Sequence, residues 1–158
     1  MTHGTYQTPD PVNEPVRGYA PGSPERKSLQ AELKRMRSNP IEVPLLVGGE
    51  KVETGNTAKM RSPHNHGMDL GTYHQARPED VTRAINAATD ARADWQALPW
   101  EERATVFLRA ADLLAGPWRD RVNASTMLGQ SKTCHQAEID AACELIDFWR
   151  FNAYYAQR

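Results

Sequence analysis

The chain has 158 residues, 39% of them hydrophobic and 25% charged, the mix of an ordinary globular protein and not of a disordered one. Lys plus Arg is 19 and Asp plus Glu is 20, a net charge of -1 that argues against a general electrostatic binder of nucleic acid or anionic membrane. No apolar run approaches the ~18 residues that span a bilayer, so a transmembrane role is not expected, and one domain or part of one is the natural count.

The opening Met1-Thr2-His3-Gly4-Thr5-Tyr6 has neither the basic start nor the apolar run of a secretory signal, and Asp10 and Glu14 disfavour a mitochondrial transit peptide. A cytoplasmic protein is expected. Residues 1–22 carry Pro9, Pro11, Pro15 and Pro21 and read as an extended N-terminal arm, with the rest of the chain, 23–158, as a second unit. A helix should start at Ser23-Pro24-Glu25, with Ser23 as cap and Pro24 in the first turn. Leu29, Leu33 and Met36 keep its spacing up to Asn39-Pro40.

The period then changes. Val43-Pro44-Leu45-Leu46-Val47 is β-prone, and Gly48-Gly49 before Glu50–Glu53 is a hairpin signal. Two more strands are expected near Lys59–Ser62 and Asp69–Gln75, with Pro63–Gly67 as the turn. Helices follow. Val81, Ala84, Ile85, Ala88, Ala91 and Trp95 share one arc of the helix from Pro78. Ala104, Phe107, Leu108, Ala111 and Leu114 share one arc of the next, which begins at Pro99 and stops at Gly116-Pro117. A third should run from about Trp118 to Leu128 and end at Gly129.

The last helix, from Thr133 onward, is the most informative. With Ala137 at 0° on a regular wheel, Phe148, Ala141, Leu145, Trp149, Ala142, Ala153 and Ile146 fall from about 20° to about 180°, and Phe151 closes the arc at about 320°. The apolar sector is about 240° wide, where a surface helix needs little more than about 100°. Such a helix wants partners on several sides. Glu138 lies within the sector and should take an arginine or backbone partner, because a bare buried carboxylate is costly. Glu144 lies at its edge and is compatible with either a structural partner or a cavity wall. Asp140 and Asp147 read as solvated charges.

Other constellations carry little chemistry. His64-Asn65-His66 lacks the further ligands of a metal site and reads as a polar turn. Gly129-Gln130-Ser131-Lys132-Thr133 is similar to the end of a phosphate loop, but without the Gly-Lys pair it reads as a helix stop and a new cap. Cys134 and His135 are neighbours on a helix and do not face each other, although Cys134, close to a helix start, is a candidate for a reactive, non-catalytic thiol. Cys134 and Cys143 would lie about 13.5 Å apart on a straight helix, beyond the roughly 7 Å of a disulfide. Trp95, Trp100, Trp118 and Trp149 read as core and interhelical packing.

Longer strings resemble a known family. Asn13-Glu14-Pro15-Val16, Pro21–Arg26, Val47–Glu50 and Ser62–Gly67 are similar to the N-terminal part of the monofunctional δ1-pyrroline-5-carboxylate dehydrogenases (L-glutamate γ-semialdehyde dehydrogenases), within the aldehyde dehydrogenase superfamily. The resemblance is strongest over Gly129–Thr133, Gln136–Ala142, Glu144–Phe148 and Arg150–Ala153. It implies an α/β fold, here the opening portion of an NAD-binding, Rossmann-like coenzyme domain, mostly helical with small β-hairpins. It further implies thiolate attack on an aldehyde, hydride transfer to NAD and thioester hydrolysis, in the breakdown of proline to glutamate. The family's nucleophilic Cys, general-base Glu and oxyanion Asn fall beyond Arg158. The segment alone is therefore expected to be an inactive fragment without catalytic, cofactor or metal ligands, its partners being the remainder of its own chain and a homo-oligomer. Glu144 matches the acidic position at that family's substrate entrance. A stand-alone helical interaction module, binding through the last helix, is the competing expectation.

Overall fold

The computed structural model describes residues 6–158, so the first five residues of the expected arm lie outside it. Among the described residues, six α-helical segments and five strands succeed one another: α1 (Pro24–Ser38), β1 (Ile41–Val43), β2 (Leu45–Val47), β3 (Glu50–Val52), β4 (Thr57–Ser62), β5 (Asn65–His74), α2 (Pro78–Ala97), α3 (Trp100–Ala115), α4 (Arg119–Gln130), α5 (Cys134–Ala137) and α6 (Glu144–Tyr155). A π-helical turn, Glu138–Cys143, joins α5 to α6.

Residues 6–22 contain no helix or strand, and their groups are tied to the end of the chain. The Thr8 amide and hydroxyl both donate to Gln157 Oε1, at 3.0 and 2.6 Å. Asn13 Nδ2 and the Glu14 amide both donate to Asp147, each at 2.7 Å. Asp147 is therefore a docking point for the arm and not the solvated charge expected from its place on the wheel. In α1, Ser23 caps the Arg26 amide and Leu29 is buried.

Pro44 cuts the run Val43–Val47 in two, because it has no amide to give to a ladder. β1 turns to pair in parallel with β5, while β2 pairs antiparallel with β3 across Gly48-Gly49. Both glycines have positive φ, as the tight hairpin requires. β4 and β5 form the second hairpin, with β5 beginning already at Asn65, so that His66 and Gly67 are strand residues and not turn residues. The three-stranded sheet has the order β1-β5-β4. Gly71 lets β1 approach: a Cβ built there would sit 1.9 Å from the Ile41 carbonyl oxygen.

α4 does not stop at Gly129. It continues to Gln130, and Ser131 takes the left-handed position at φ 59°. Thr133 then caps the next helix, reciprocated by Gln136. Of the arcs expected to be buried, that of α3 holds in part: Ala104, Ala111 and Leu114 are buried but Phe107 is exposed. That of α2 does not, since Val81, Ile85 and Trp95 are exposed. Its apolar side meets the small β2–β3 hairpin and little else. Nor do the four tryptophans form the core: Trp95 and Trp118 are exposed, and Trp100 and Trp149 are half-buried.

The core consists of two small clusters. Ala111, Leu114, Ala142 and Ile146 join α3 to the π turn and α6. Tyr19, Leu29 and Ala124 join the arm and α1 to α4. No helix among the described residues is long and apolar enough to cross a membrane.

The π turn resolves the over-wide apolar sector. A π turn holds one residue more than an α turn, so α6 is set back by about 100° relative to a regular helix. After that correction Ala137, Trp149, Ala153, Ile146 and Glu138 gather between about 0° and about 100°, whereas Glu144, Tyr155, Phe148 and Leu145 spread between about 240° and about 340°. Burial matches this division. Ala137, Glu138 and Ile146 are fully buried, while Phe148 is 60% and Tyr155 62% exposed. The broad sector is two faces, one packed inside the chain and one bare.

Candidate functional site

Glu138 opens the π turn and is fully buried. α4 lies against it and supplies Arg119 and Asn123, both also buried. Asn123 Nδ2 donates to Glu138 Oε2 at 2.8 Å, and Arg119 donates through Nε at 3.2 Å and through Nη2 to the other oxygen. The arm closes the site from the opposite side. The Arg17 amide donates to Oε1 and the Tyr19 hydroxyl to Oε2, each at 2.8 Å. The partner expected for Glu138 is thus present as an arginine, two neutral side chains and a backbone amide at once.

The network extends outward. Arg119 also pairs with Glu14, and its Nη2 donates to the Pro15 carbonyl at 2.8 Å. Arg150 of α6 holds the other oxygen of Glu14 at 2.7 Å. Cys143, the last residue of the π turn, has its sulfur 3.3 Å from Arg119 Nη2.

Electrostatics follow from these contacts. Burial alone would raise the Glu138 pKa, but Arg119, the Arg17 amide, Tyr19 and Asn123 outweigh it and hold it at about 2. Burial and the adjacent carboxylate push the Tyr19 hydroxyl up. The Cys143 thiol is pushed up to about 11 by burial and by Glu138. Burial, with the Glu138 carboxylate, likewise raises Cys134, against the expectation of an activated thiol near a helix start. Both cysteines are free thiols. The cluster is therefore a locked ion-pair node and not acid–base machinery, since its acid stays ionised and its thiol protonated near neutrality.

Glu144 begins α6, immediately after the π turn. It is exposed and makes no hydrogen bond or ion pair to another described residue. Phe148, one turn on, lies on the same face, and beside it Trp95, Trp100, Phe107 and Trp149 line an open groove of about 670 Å³. Asp140 is exposed and pairs with Lys132. His64 Nδ1 lies 2.9 Å from Ser131 Oγ and also contacts Ser62, which joins the β4–β5 turn to the end of α4. No group of three metal-ligating side chains occurs among the described residues.

Sequence reasoning singled out Glu138 and Glu144 but missed Arg119, Asn123, Tyr19 and Glu14. A buried acid signals that a cation is needed, but 19 basic residues were available and nothing local marks Arg119.

The segment thus combines helices and small hairpins with one bare helix face beside a locked ion-pair node. The family model "Aldehyde dehydrogenase family" matches residues 51–158, and the chain belongs to that family. Among its relatives, the Delta-1-pyrroline-5-carboxylate dehydrogenase of Agaricus bisporus is 48% identical over 154 residues, covering 97% of this chain and 28% of the relative. The mitochondrial Delta-1-pyrroline-5-carboxylate dehydrogenase of Homo sapiens is 48% identical over 145 residues, 92% of this chain and 26% of that one. The crystal structure of the Delta-pyrroline-5-carboxylate dehydrogenase from Mycobacterium tuberculosis bound with NAD superimposes with a TM-score of 0.95 at 52% identity, over 99% of this chain and 29% of that chain. This chain thus spans little more than a quarter of the length of the relatives it matches.

Proposed function

We propose that the chain is the opening portion of an NAD-dependent dehydrogenase that oxidises L-glutamate γ-semialdehyde, the open form of 1-pyrroline-5-carboxylate, to glutamate in proline catabolism. One observation carries this reading: nearly every residue aligns, at about half identity and a TM-score of 0.95, with proteins of that single name.

In this reading the segment builds a wall of the aldehyde tunnel. Glu144 presents a carboxylate on the bare face of α6, close to Phe148. The semialdehyde carries an α-ammonium group, and a carboxylate beside its path would attract that end and orient the aldehyde toward the chemistry. NAD is not expected to be held by this segment alone. Coenzyme binding, the nucleophile and homo-oligomer assembly belong, in this reading, to chain outside the segment, and residues 23–158 are the incomplete first part of the coenzyme domain behind the arm of 1–22. A cytoplasmic location is part of the same proposal; two free thiols accord with a reducing compartment. Fractionation of cells expressing the tagged protein checks it.

The test is NADH formation from 1-pyrroline-5-carboxylate by the complete gene product. Steady turnover is expected; a folded product that reduces no NAD with this substrate overturns the assignment.

A further inference from the structure

The π turn poses a physical question that the enzyme class leaves open. In an α-helix residues five apart point about 140° away from each other, and Glu138 and Cys143 could not reach one guanidinium. In the π turn the ladder runs five residues, with the Glu144 amide bonded to the Ile139 carbonyl, and positions five apart come into line. Arg119 occupies that alignment. Its Nη2 touches both Glu138, at the start of the turn, and the Cys143 sulfur, at its end. Arg119 is itself almost wholly buried and is tied to the arm through Glu14 and the Pro15 carbonyl.

A π turn is rarer than an α turn and persists where surroundings favour it. Here the azimuth of α6 depends on it. Setting α6 back by about 100° puts Ile146, Trp149 and Ala153 toward the core, and Glu144 and Phe148 on the bare face. We infer that Arg119 and Glu138 are positioning residues for Glu144: by clamping the two ends of the π turn they set the direction in which α6 presents its carboxylate. This inference rests on the proposed function for its kinetic consequence, but not for its structural one.

The experiment uses the complete gene product and three variants: Glu138→Gln, Glu144→Ala and the double variant. Glu138→Gln keeps the shape and part of the hydrogen bonding but removes the charge that holds Arg119. Hydrogen exchange of the peptide spanning 138–149 should speed up in Glu138→Gln while other peptides of the coenzyme domain keep their protection. The KM for the semialdehyde should rise by about tenfold with kcat nearly unchanged. In the Glu144→Ala background the same substitution should raise KM no further, because its effect passes through Glu144. Unchanged exchange over 138–149 overturns the clamp. Faster exchange with an unchanged KM, or additive effects in the double variant, overturns the positioning role. If the unaltered enzyme fails to oxidise the semialdehyde, the proposed function falls, while the exchange result still decides the clamp. Should Glu138→Gln not fold, Arg119→Lys takes its place, since it keeps the charge but loses the paired Nε and Nη2 donors that grip Glu138.

Discussion

Two regions of this molecule treat burial in opposite ways. Around Glu138 the chain encloses ionised groups completely; along α2 and the outer side of α6 it leaves Val81, Ile85, Phe148 and Tyr155 at least half exposed. Each charge of the node finds its partner within this chain, on the arm, α4, the π turn or α6, and an unmatched charge would cost several kcal/mol; Asn123 Oδ1 alone in the node is buried without a hydrogen bond. The apolar faces tolerate incompleteness, since exposed carbon costs only in proportion to its area. The lesson is that the buried charges are matched locally, whereas the apolar exterior is shaped for a larger body.

The contrast can be broken most forcefully at Arg119. Arg119→Ala leaves Glu138 buried without its cation and should cost about 3–5 kcal/mol, read as a lowered denaturation midpoint and release of the arm to protease. A loss no larger than that of an exposed arginine would mean that the node is not the keystone of this half. Acid tests the same point without mutation. The Glu138 pKa is held below its unfolded value, so its contribution is fully present above about pH 4.5 and disappears as the pH falls toward about 2. On the order of 3 kcal/mol should be lost across that window, with the arm loosening before the β-sheet. Arm exchange that is flat over the window would contradict this.

Gly71→Ala probes the sheet, away from both regions. Its Cβ would strike the Ile41 backbone, which cannot move aside as a side chain would, so β1 should part from β5 at a cost of about 2 kcal/mol. The effect should remain local, with exchange protection lost in β1 and kept in the β2–β3 hairpin. For the bare faces, the isolated 158-residue segment should bind a hydrophobic dye or self-associate. A dye-negative monomer with a sharp melt would instead favour the self-sufficient interaction module. The smallest expected stability effect is at Glu144. Glu144→Ala should shift the midpoint by less than about 0.5 kcal/mol, as at an exposed site without partners, while altering substrate affinity or turnover. A pure stability loss with unchanged kinetics would remove it from the tunnel wall.

Much of this was legible in residue order. The Ser23-Pro24 start, the Gly48-Gly49 hairpin, the Thr133 cap and the helices from Pro78 to Ala115 all depend on neighbours in sequence, where a cap, a positive φ or a missing amide acts within a few residues. The need of Glu138 for an arginine or backbone partner was legible too, and it has both. Less so was the split at Pro44, because the two halves of one apolar run pair with strands on different sheets.

The sequence by itself indicated that the last helix, from Thr133, carries more apolar surface than four helices and two hairpins easily cover, and that an acid within that surface must be compensated. Only the tertiary structure decided which cation answers it and that the helix slips by one residue to divide its apolar sector. The reason is one of range. Helix caps and turns are settled by contacts a few residues apart, whereas Arg119 and Tyr19 reach Glu138 from 19 and 119 residues away, and no cap or turn residue in the sequence marks where the π turn falls.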